Sequence, residues 1–198
     1  MTTLPLAVGP LIPAHRRAGA TVETVSGWET AVKYPAEPMR GANALVDLTG
    51  RNVCEINGPE TDPFLQAIAN ERLPIRGLKT VAGRDIYRLT NARAILFGGD
   101  PIDGSINVTG GWATIGLYGP QSLNVLQKIT AIDLRERTFG VGQCAQGPVF
   151  GVNVLFGRFA DHWELHACPD MTQFLWEVLL DAGAEFHLKP AGRSWISP

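Results

Sequence analysis

Apolar and polar positions alternate and then switch to helical spacing twice along this chain. Val53-Cys-Glu-Ile-Asn-Gly-Pro-Glu-Thr-Asp-Pro-Phe-Leu-Gln-Ala-Ile68 is echoed about sixty residues later by Thr114-Ile-Gly-Leu-Tyr-Gly-Pro-Gln-Ser-Leu-Asn-Val-Leu-Gln-Lys-Ile129. Each copy predicts a short strand, a Gly-Pro turn and an amphipathic helix. Gly58 and Gly119 permit the sharp change of direction. Pro59 and Pro120 have φ fixed near the helical value and no N–H to leave unpaired, which suits the first helical position. Phe64, Leu65 and Ile68 form one apolar face, and Val125, Leu126 and Ile129 occupy the matching positions. Two units of one design predict a single α+β domain with pseudo-repeated strand–turn–helix units. Two copies are too few for a solenoid.

Around these units, the pattern predicts strands at Thr21 to Val25, Leu45 to Leu48 and Val53 to Ile56, with Gly50-Arg51-Asn52 as a turn. Tyr34 to Gly41, with its two prolines, reads as a loop. The first repeat helix is expected from Pro59 to about Asn70. Ile86 to Leu89 and Ala94 to Phe97 are strand-like. Gly98 to Gly111, rich in glycine, reads as a surface loop or hairpin, and Gly140 to Gly147 as a further turn. Val149 to Phe156 and His162 to Ala167 read as a paired hairpin. A last helix places Met171, Phe174, Leu175, Val178 and Leu179 on one face, with Gly183 as its C-terminal cap. Residues 1–20 show no period and are expected to form an extended arm that packs on the domain or reaches a partner. The domain proper is expected over residues 21–198, with no internal linker.

Composition adds limits rather than chemistry. At 198 residues, 45% hydrophobic and 18% charged, the chain is ordinary for one globular domain. Such a domain buries roughly 70% of its unfolded surface. A net charge of −2 argues against nucleic acid or an anionic membrane as the main partner. No apolar run reaches the ~20 residues of a membrane span. The N-terminus lacks a basic region followed by an apolar stretch, and the three cysteines are widely spaced, so a cytoplasmic protein without a disulfide framework is expected.

Four segments in sequence carry a family resemblance: Gly27-Trp-Glu-Thr-Ala-Val-Lys-Tyr34; Gly41 to Ile68 with Ala44-Leu-Val-Asp-Leu48; Leu117-Tyr-Gly-Pro-Gln-Ser122; and Trp163-Glu-Leu-His-Ala-Cys-Pro169 with the helix and Ala182-Gly-Ala184 that follow. They resemble, in the same order, segments of the folate-binding aminomethyltransferase (glycine cleavage T-protein) family. The resemblance implies an α+β T-protein-like folate-binding domain. Arg193 is similar to the first arginine of an Arg-Asp-x-Leu-Arg helix, but Ser194 stands where the aspartate belongs. The chain stops at Pro198, so the family's C-terminal domain is expected to be absent.

The resemblance also implies where chemistry should sit. The family places a carboxylate near the reactive nitrogens of tetrahydrofolate, in a Gly-Gly-hydrophobic-hydrophobic-Asp-Asp stretch after a strand ending in asparagine. If Asn91 is that asparagine, the pair falls near Leu96 to Gly98, where no acid exists. Asp100 and Asp103 lie just beyond, and they read either as turn residues or as acids that a loop shift brings inward. The family's pterin-holding glutamate corresponds to Ala160, with Asp161 keeping the adjacent acid. A buried pterin donor left without an acceptor there costs about 1–3 kcal/mol. Both departures point to lost catalysis, so no catalytic residue is assigned and the cofactor-binding residues are left open.

Other candidates have plain readings. His162, Glu164 and His166 share one strand face, the pattern of a solvated hairpin, and with Asp161 they lack the surround of a metal site. No metal site is assigned. Cys54, Cys144 and Cys168 read as small core or strand residues. Ser122 follows Gly-Pro-Gln and does not form a nucleophile elbow. His15-Arg16-Arg17 reads as a solvated or partner-facing basic patch. Trp28, Tyr34, Trp112 and Trp195 suit a pterin slot, a partner interface or core packing, with core packing the default expectation. Short relatives of the family are similar to the gamma subunit of heterotetrameric sarcosine oxidase and the small subunit of N-methylglutamate dehydrogenase. That likeness implies a non-catalytic subunit with no cofactor of its own, although tetrahydrofolate binding is left open. Its partners would be larger flavin- and folate-binding subunits, with flavin and NAD on those partners. The alternative is a folate-dependent aminomethyl or methyl transferase acting with a partner, with Asp161, Asp100 or Asp103 replacing the lost carboxylate.

Overall fold

In the computed structural model, which describes residues 6–196, a short strand β1 (Ala7–Val8) and helix α1 (Ile12–Arg17) lead into a hairpin of β2 (Thr21–Val25) and β3 (Trp28–Lys33). The first repeat region contains β4 (Ala44–Asp47), β5 (Val53–Asn57) and α2 (Thr61–Ala69). Next come β6 (Leu78–Val81), β7 (Arg84–Thr90), β8 (Arg93–Phe97) and the short β9 (Ile106–Asn107). The second repeat supplies β10 (Ala113–Tyr118) and α3 (Ser122–Gln127). The rest comprises β11 (Gln143–Val149), β12 (Val152–Arg158), β13 (His162–Ala167), α4 (Pro169–Gly183), β14 (Lys189–Ala191) and α5 (Arg193–Ile196). The α+β class expected from the pattern is the one observed.

Three sheets organise these elements, ordered β1-β3-β2, β6-β7-β8-β5-β9 and β11-β12-β13-β10-β4-β14. Pairing is antiparallel except at β1–β3 and β4–β14. On one face of the five-stranded sheet, α2 buries Leu65 and Ala69 against Cys54, Ile56, Ile86 and Leu96. On its other face, Val53, Tyr87, Ile95 and Phe97 meet Cys144 and Leu155 of the six-stranded sheet. The far face of that second sheet carries Ile115, Leu117, Phe156 and Leu165 into the largest apolar cluster, closed by α3 and α4. Polar side chains that end up between the two sheets are therefore enclosed on both sides.

The repeat holds down to individual hydrogen bonds. Gly58 and Gly119 sit at φ 108° and 103°, where only glycine is comfortable. Thr61 Oγ1 donates to the Gly58 carbonyl at 2.8 Å, and Ser122 Oγ donates to the Gly119 carbonyl at 2.8 Å. That back-bond closes the turn before the helix begins. Pro59 and Pro120 consequently lie in the turn, and the helices start at Thr61 and Ser122 rather than at the prolines.

Other expectations are corrected. Residues 12–17 do not run extended: they form α1, with Leu11 and Ile12 fully buried, while Ala7 and Val8 are extended as β1. Residues 1–5 of the expected arm lie outside the described residues. The expected turn at 140–147 is largely strand β11, paired with β12 from Gln143↔Arg158 to Val149↔Val152. Its Gly147 and Pro148 look like turn residues but are tolerated on an edge strand. The loop at 98–111 contains β9, paired with β5. On α4 the buried face runs through Thr172, Leu175, Trp176 and Leu179, leaving Met171 and Phe174 exposed. Trp176 carries more apolar area than Phe174, and the Thr172 hydroxyl is satisfied by the Cys168 carbonyl at 2.9 Å, so the helix turns that way. Gly183 is not a left-handed cap: a Cβ there would lie 2.4 Å from Leu188 Cδ2, so glycine serves close approach.

Candidate functional site

Strand β13 alternates strictly. Trp163 and Leu165 enter the apolar core, while Glu164 and His166 point between the two sheets. The face expected to be solvated is thus the opposite: Glu164 is 3% exposed and His166 fully buried. Residues from four other elements complete the layer. Arg51 comes from the β4–β5 turn, Asp85 and Tyr87 from β7, Phe97 from β8 and Thr114 from β10.

Their hydrogen bonds form one directed chain. Thr114 Oγ1 lies 2.9 Å from His166 Nδ1, and His166 Nε2 lies 2.8 Å from the Tyr87 hydroxyl. Tyr87 donates to Glu164 Oε2 at 3.0 Å. Tyr87 spends its one proton on Glu164, so His166 must donate from Nε2 and accept at Nδ1. Arg51 ends the chain: Nη2 donates to Glu164 Oε2 at 2.6 Å and Nη1 to Asp85 Oδ2 at 2.8 Å. Thr80 donates to the other Asp85 oxygen at 2.6 Å. The Tyr87 proton and both His166 nitrogens are thereby used within the chain, while Arg51 Nε is buried in the layer without a hydrogen-bond partner.

The electrostatics follow from burial. Enclosure alone would raise the Glu164 carboxyl, but the Arg51 charge, with His162 Nε2 3.7 Å from Oε1, outweighs it and holds the acid ionised, well below its usual range. Burial pushes His166 down to about 3, against the pull of Glu164, so the ring stays neutral. Burial, followed by the Glu164 charge, raises both Asp85 and the Tyr87 hydroxyl.

A pH dependence results. The folded-state pKa of His166 lies below its unfolded value of about 6.5. Its contribution to stability is therefore present above pH 6.5 and is lost as pH falls toward 3. Between about pH 7 and pH 5 this amounts to about 2 kcal/mol, or roughly 4–8 °C in melting temperature. His162, whose pKa is raised above the ordinary value, works in the opposite sense. Thermal melts of His166→Gln beside the wild type isolate the effect, and the variant should show a clearly flatter profile over that range.

The position expected to hold the family's carboxylate is closed. Leu96 and Phe97 are buried. The Phe97 ring stacks on His166 with centroids 3.9 Å apart, meets Tyr87 edge-on at 5.2 Å and lies 5.5 Å below the Arg51 guanidinium. An aromatic ring fills the space an acid would need to reach a ligand. Asp100 does not replace it from within: it is exposed, on the rim of an open cleft of about 450 Å³ that Trp28, Arg51 and Arg193 also line. Asp103 is exposed as well, and so are Ala160 and Asp161 at the pterin-glutamate position. Asp100, Asp103 and Asp161, the acids nearest these positions, thus all lie at the surface.

The remaining candidates fall into structural places. His15 is 1% exposed, with Nε2 3.0 Å from Asp47 Oδ2 and Nδ1 2.5 Å from the Tyr34 hydroxyl, so it pins α1 to the core instead of joining a solvated patch. Arg16 and Arg17 are exposed, and Arg16 pairs with Glu29 at 2.6 Å. Tyr34 is buried as expected, whereas Trp28, Trp112 and Trp195 are half-buried, Trp195 bonding the Pro38 carbonyl at 2.8 Å. His162 is sandwiched between Tyr118 and Phe159, with centroids at 4.7 and 4.5 Å. Cys54 and Cys144 are buried, and burial pushes the Cys144 thiol up to about 12. Cys168 is exposed, contrary to its expected place. Among the described residues, no three His, Cys, Asp or Glu side chains converge to hold a metal ion. No helix among them is long and apolar enough to cross a membrane.

Two sheets packed around a buried polar layer, with a Gly-Pro unit used twice, define an aminomethyltransferase-like folate-binding fold. Residues 84–196, more than half of the chain, match the GCVT N-terminal domain, and the chain belongs to that family. It is similar to the aminomethyltransferase of Desulfitobacterium hafniense, 25% identical across 92% of this chain and 60% of that protein. It is also similar to the aminomethyltransferase of Bacillus cereus, 26% identical across 92% and 60%. The chain thus spans about 60% of the length of these curated relatives. Glycine cleavage system aminomethyltransferase T from Bartonella henselae shares the fold, with a TM-score of 0.77 and 19% identity over 96% of this chain and 60% of that one. A chain of heterotetrameric sarcosine oxidase from Corynebacterium sp. U-96 shares it too, with a TM-score of 0.69 and 18% identity over 90% of this chain and 95% of that one.

Proposed function

We propose that this chain is a non-catalytic small subunit, of gamma type, in a heteromeric flavin-dependent N-methyl amine oxidase or dehydrogenase linked to folate one-carbon metabolism. The observation that carries this reading is the filled space between the sheets: Phe97 stacks on His166 where the family needs an acid, and His166, Tyr87 and Glu164 bond one another beneath it. A domain kept for its shape needs such a core, whereas a folate enzyme needs a vacancy and a carboxylate. The likeness to nearly the whole of one chain of a heterotetrameric oxidase supports the subunit role. In this reading flavin, NAD and folate are held by larger partner subunits, and the complex works in the cytoplasm. Titration calorimetry of the purified chain with tetrahydrofolate should give no heat of binding. Micromolar binding would overturn the non-catalytic reading.

The open cleft favours a second reading, a folate-dependent aminomethyl or methyl transferase acting with a partner. Asp100 on the rim, beside Arg51 and Arg193, would be its acid. Under that reading Asp100→Asn would abolish a tetrahydrofolate-dependent activity in the assembled complex.

A further inference from the structure

One face of the molecule holds large apolar side chains in water. Phe150 is 66% exposed, Met171 42% and Phe174 41%. Phe150, Phe174, Val178 and Ile129 line a groove of about 530 Å³ between the end of α3, the outer side of α4 and the β11–β12 turn. Phe150 is placed there by an unusual backbone. It and Gly151 form the two-residue turn between Val149 and Val152, at φ 45° and 88°. Two other hairpins use the same positive-φ pair with small first residues, Ser26-Gly27 and Ala82-Gly83. Asparagine, aspartate or glycine suits that first position, and a bulky aromatic there is an outlier. Phe150 joins none of the apolar clusters of the described core. A strained backbone that holds a large aromatic in water is the signature of a side chain kept for contact with another molecule.

The charges around the groove select the occupant. Glu177 and Asp181 line it and are exposed, and the exposed Glu185 lies just beyond the end of α4. Lys128, the one cation among the lining residues, is engaged with Glu185 at 2.6 Å and the Ala182 carbonyl at 2.8 Å. A second copy docked about a two-fold axis would set this acidic rim against itself. The lining positions 174, 178, 181 and 182 run along about two turns of α4, a track that suits a helix laid in the groove. We propose that this groove receives an amphipathic helix of a partner protein, whose apolar face is flanked by lysine or arginine and is anchored by Phe150 and Phe174. The proposal goes beyond the subunit reading and does not require the partner to be a flavin enzyme.

The test uses the purified full chain and two synthetic helical peptides with the same leucine and phenylalanine face, one flanked by lysine and arginine, the other by glutamate. Fluorescence anisotropy should show the basic peptide binding at least about tenfold more tightly, an advantage that shrinks as salt rises from about 50 to 500 mM. Phe150→Asn should weaken that binding by about tenfold or more, while raising the melting temperature by a few degrees because Asn-Gly suits the turn. Phe174→Ser should weaken binding without moving the melting temperature. Equal binding of both peptides, unchanged affinity in Phe150→Asn, or a lower melting temperature in that variant would overturn the proposal. So would self-association of the wild type that Phe150→Asn dissolves, since the occupant would then be a second copy. Failure of the chain to join a flavin complex would sink the subunit reading and leave these outcomes unchanged.

Discussion

Arg51→Met should cost the protein about 3–5 kcal/mol and lower its melting temperature on the order of 10 °C. Arg51 bonds two acids at once, Glu164 at 2.6 Å and Asp85 at 2.8 Å, and the Glu164 side chain is only 4% exposed. Removing the cation leaves that carboxylate enclosed between two sheets, near the acid Asp85 and with only neutral Tyr87 and the weakly basic His162 and His166 to face it. The cost is mainly that of stranding Glu164, so the double variant Arg51→Met/Glu164→Gln should recover a substantial part of it. Arg51→Lys should fall between, because an ammonium cannot serve both acids with the same planar fork. Urea denaturation of the wild type, Arg51→Met, Glu164→Gln and the double variant gives the coupling energy directly. A loss under about 1 kcal/mol for Arg51→Met, the range of exposed pairs, would mean the layer is solvated.

The second large effect belongs to Phe97. Its ring is fully buried and touches His166, Tyr87 and Trp112 as well as the Arg51 guanidinium. Phe97→Ala should lose about 3–5 kcal/mol, through both lost burial and the cavity left behind. Phe97→Asp puts an acid back near the expected place, but beside the ionised Glu164 and without a cation of its own. It should destabilise the fold more than alanine does and give no tetrahydrofolate binding by calorimetry. Wild-type stability in Phe97→Ala would show that the space between the sheets is not filled as described.

The repeated unit was legible in the sequence because its signal is local: a change of period from two to 3.6 around Gly-Pro, twice. The expected strands at Thr21 to Val25 and Ala94 to Phe97 reappear as β2 and the core of β8 for the same reason. Strand β11 was hidden because Gly147 and Pro148 mimic a turn. The buried face of α4 was misjudged because Met171 and Phe174 complete an apolar period on a side that tertiary packing leaves exposed. The polar layer was only half visible. His166 and Glu164 stood out as alternating residues, yet Arg51, Asp85 and Tyr87 come from other elements and meet them only when two sheets stack. Nothing in a single chain's periodicity sets the register of one sheet over another. The same holds for His15, which reads as part of a basic run until Asp47 and Tyr34 are brought around it. The missing acid at Leu96 and Phe97 was readable through the family resemblance, but the ring stack that replaces it was not.

Native mass spectrometry of the tagged chain, purified gently from its own host, tests the subunit reading most directly. The expected result is co-purification with larger flavin-bearing chains at fixed stoichiometry, with amine oxidation and folate binding residing in those chains. A clean monomer or homodimer that binds tetrahydrofolate would contradict it.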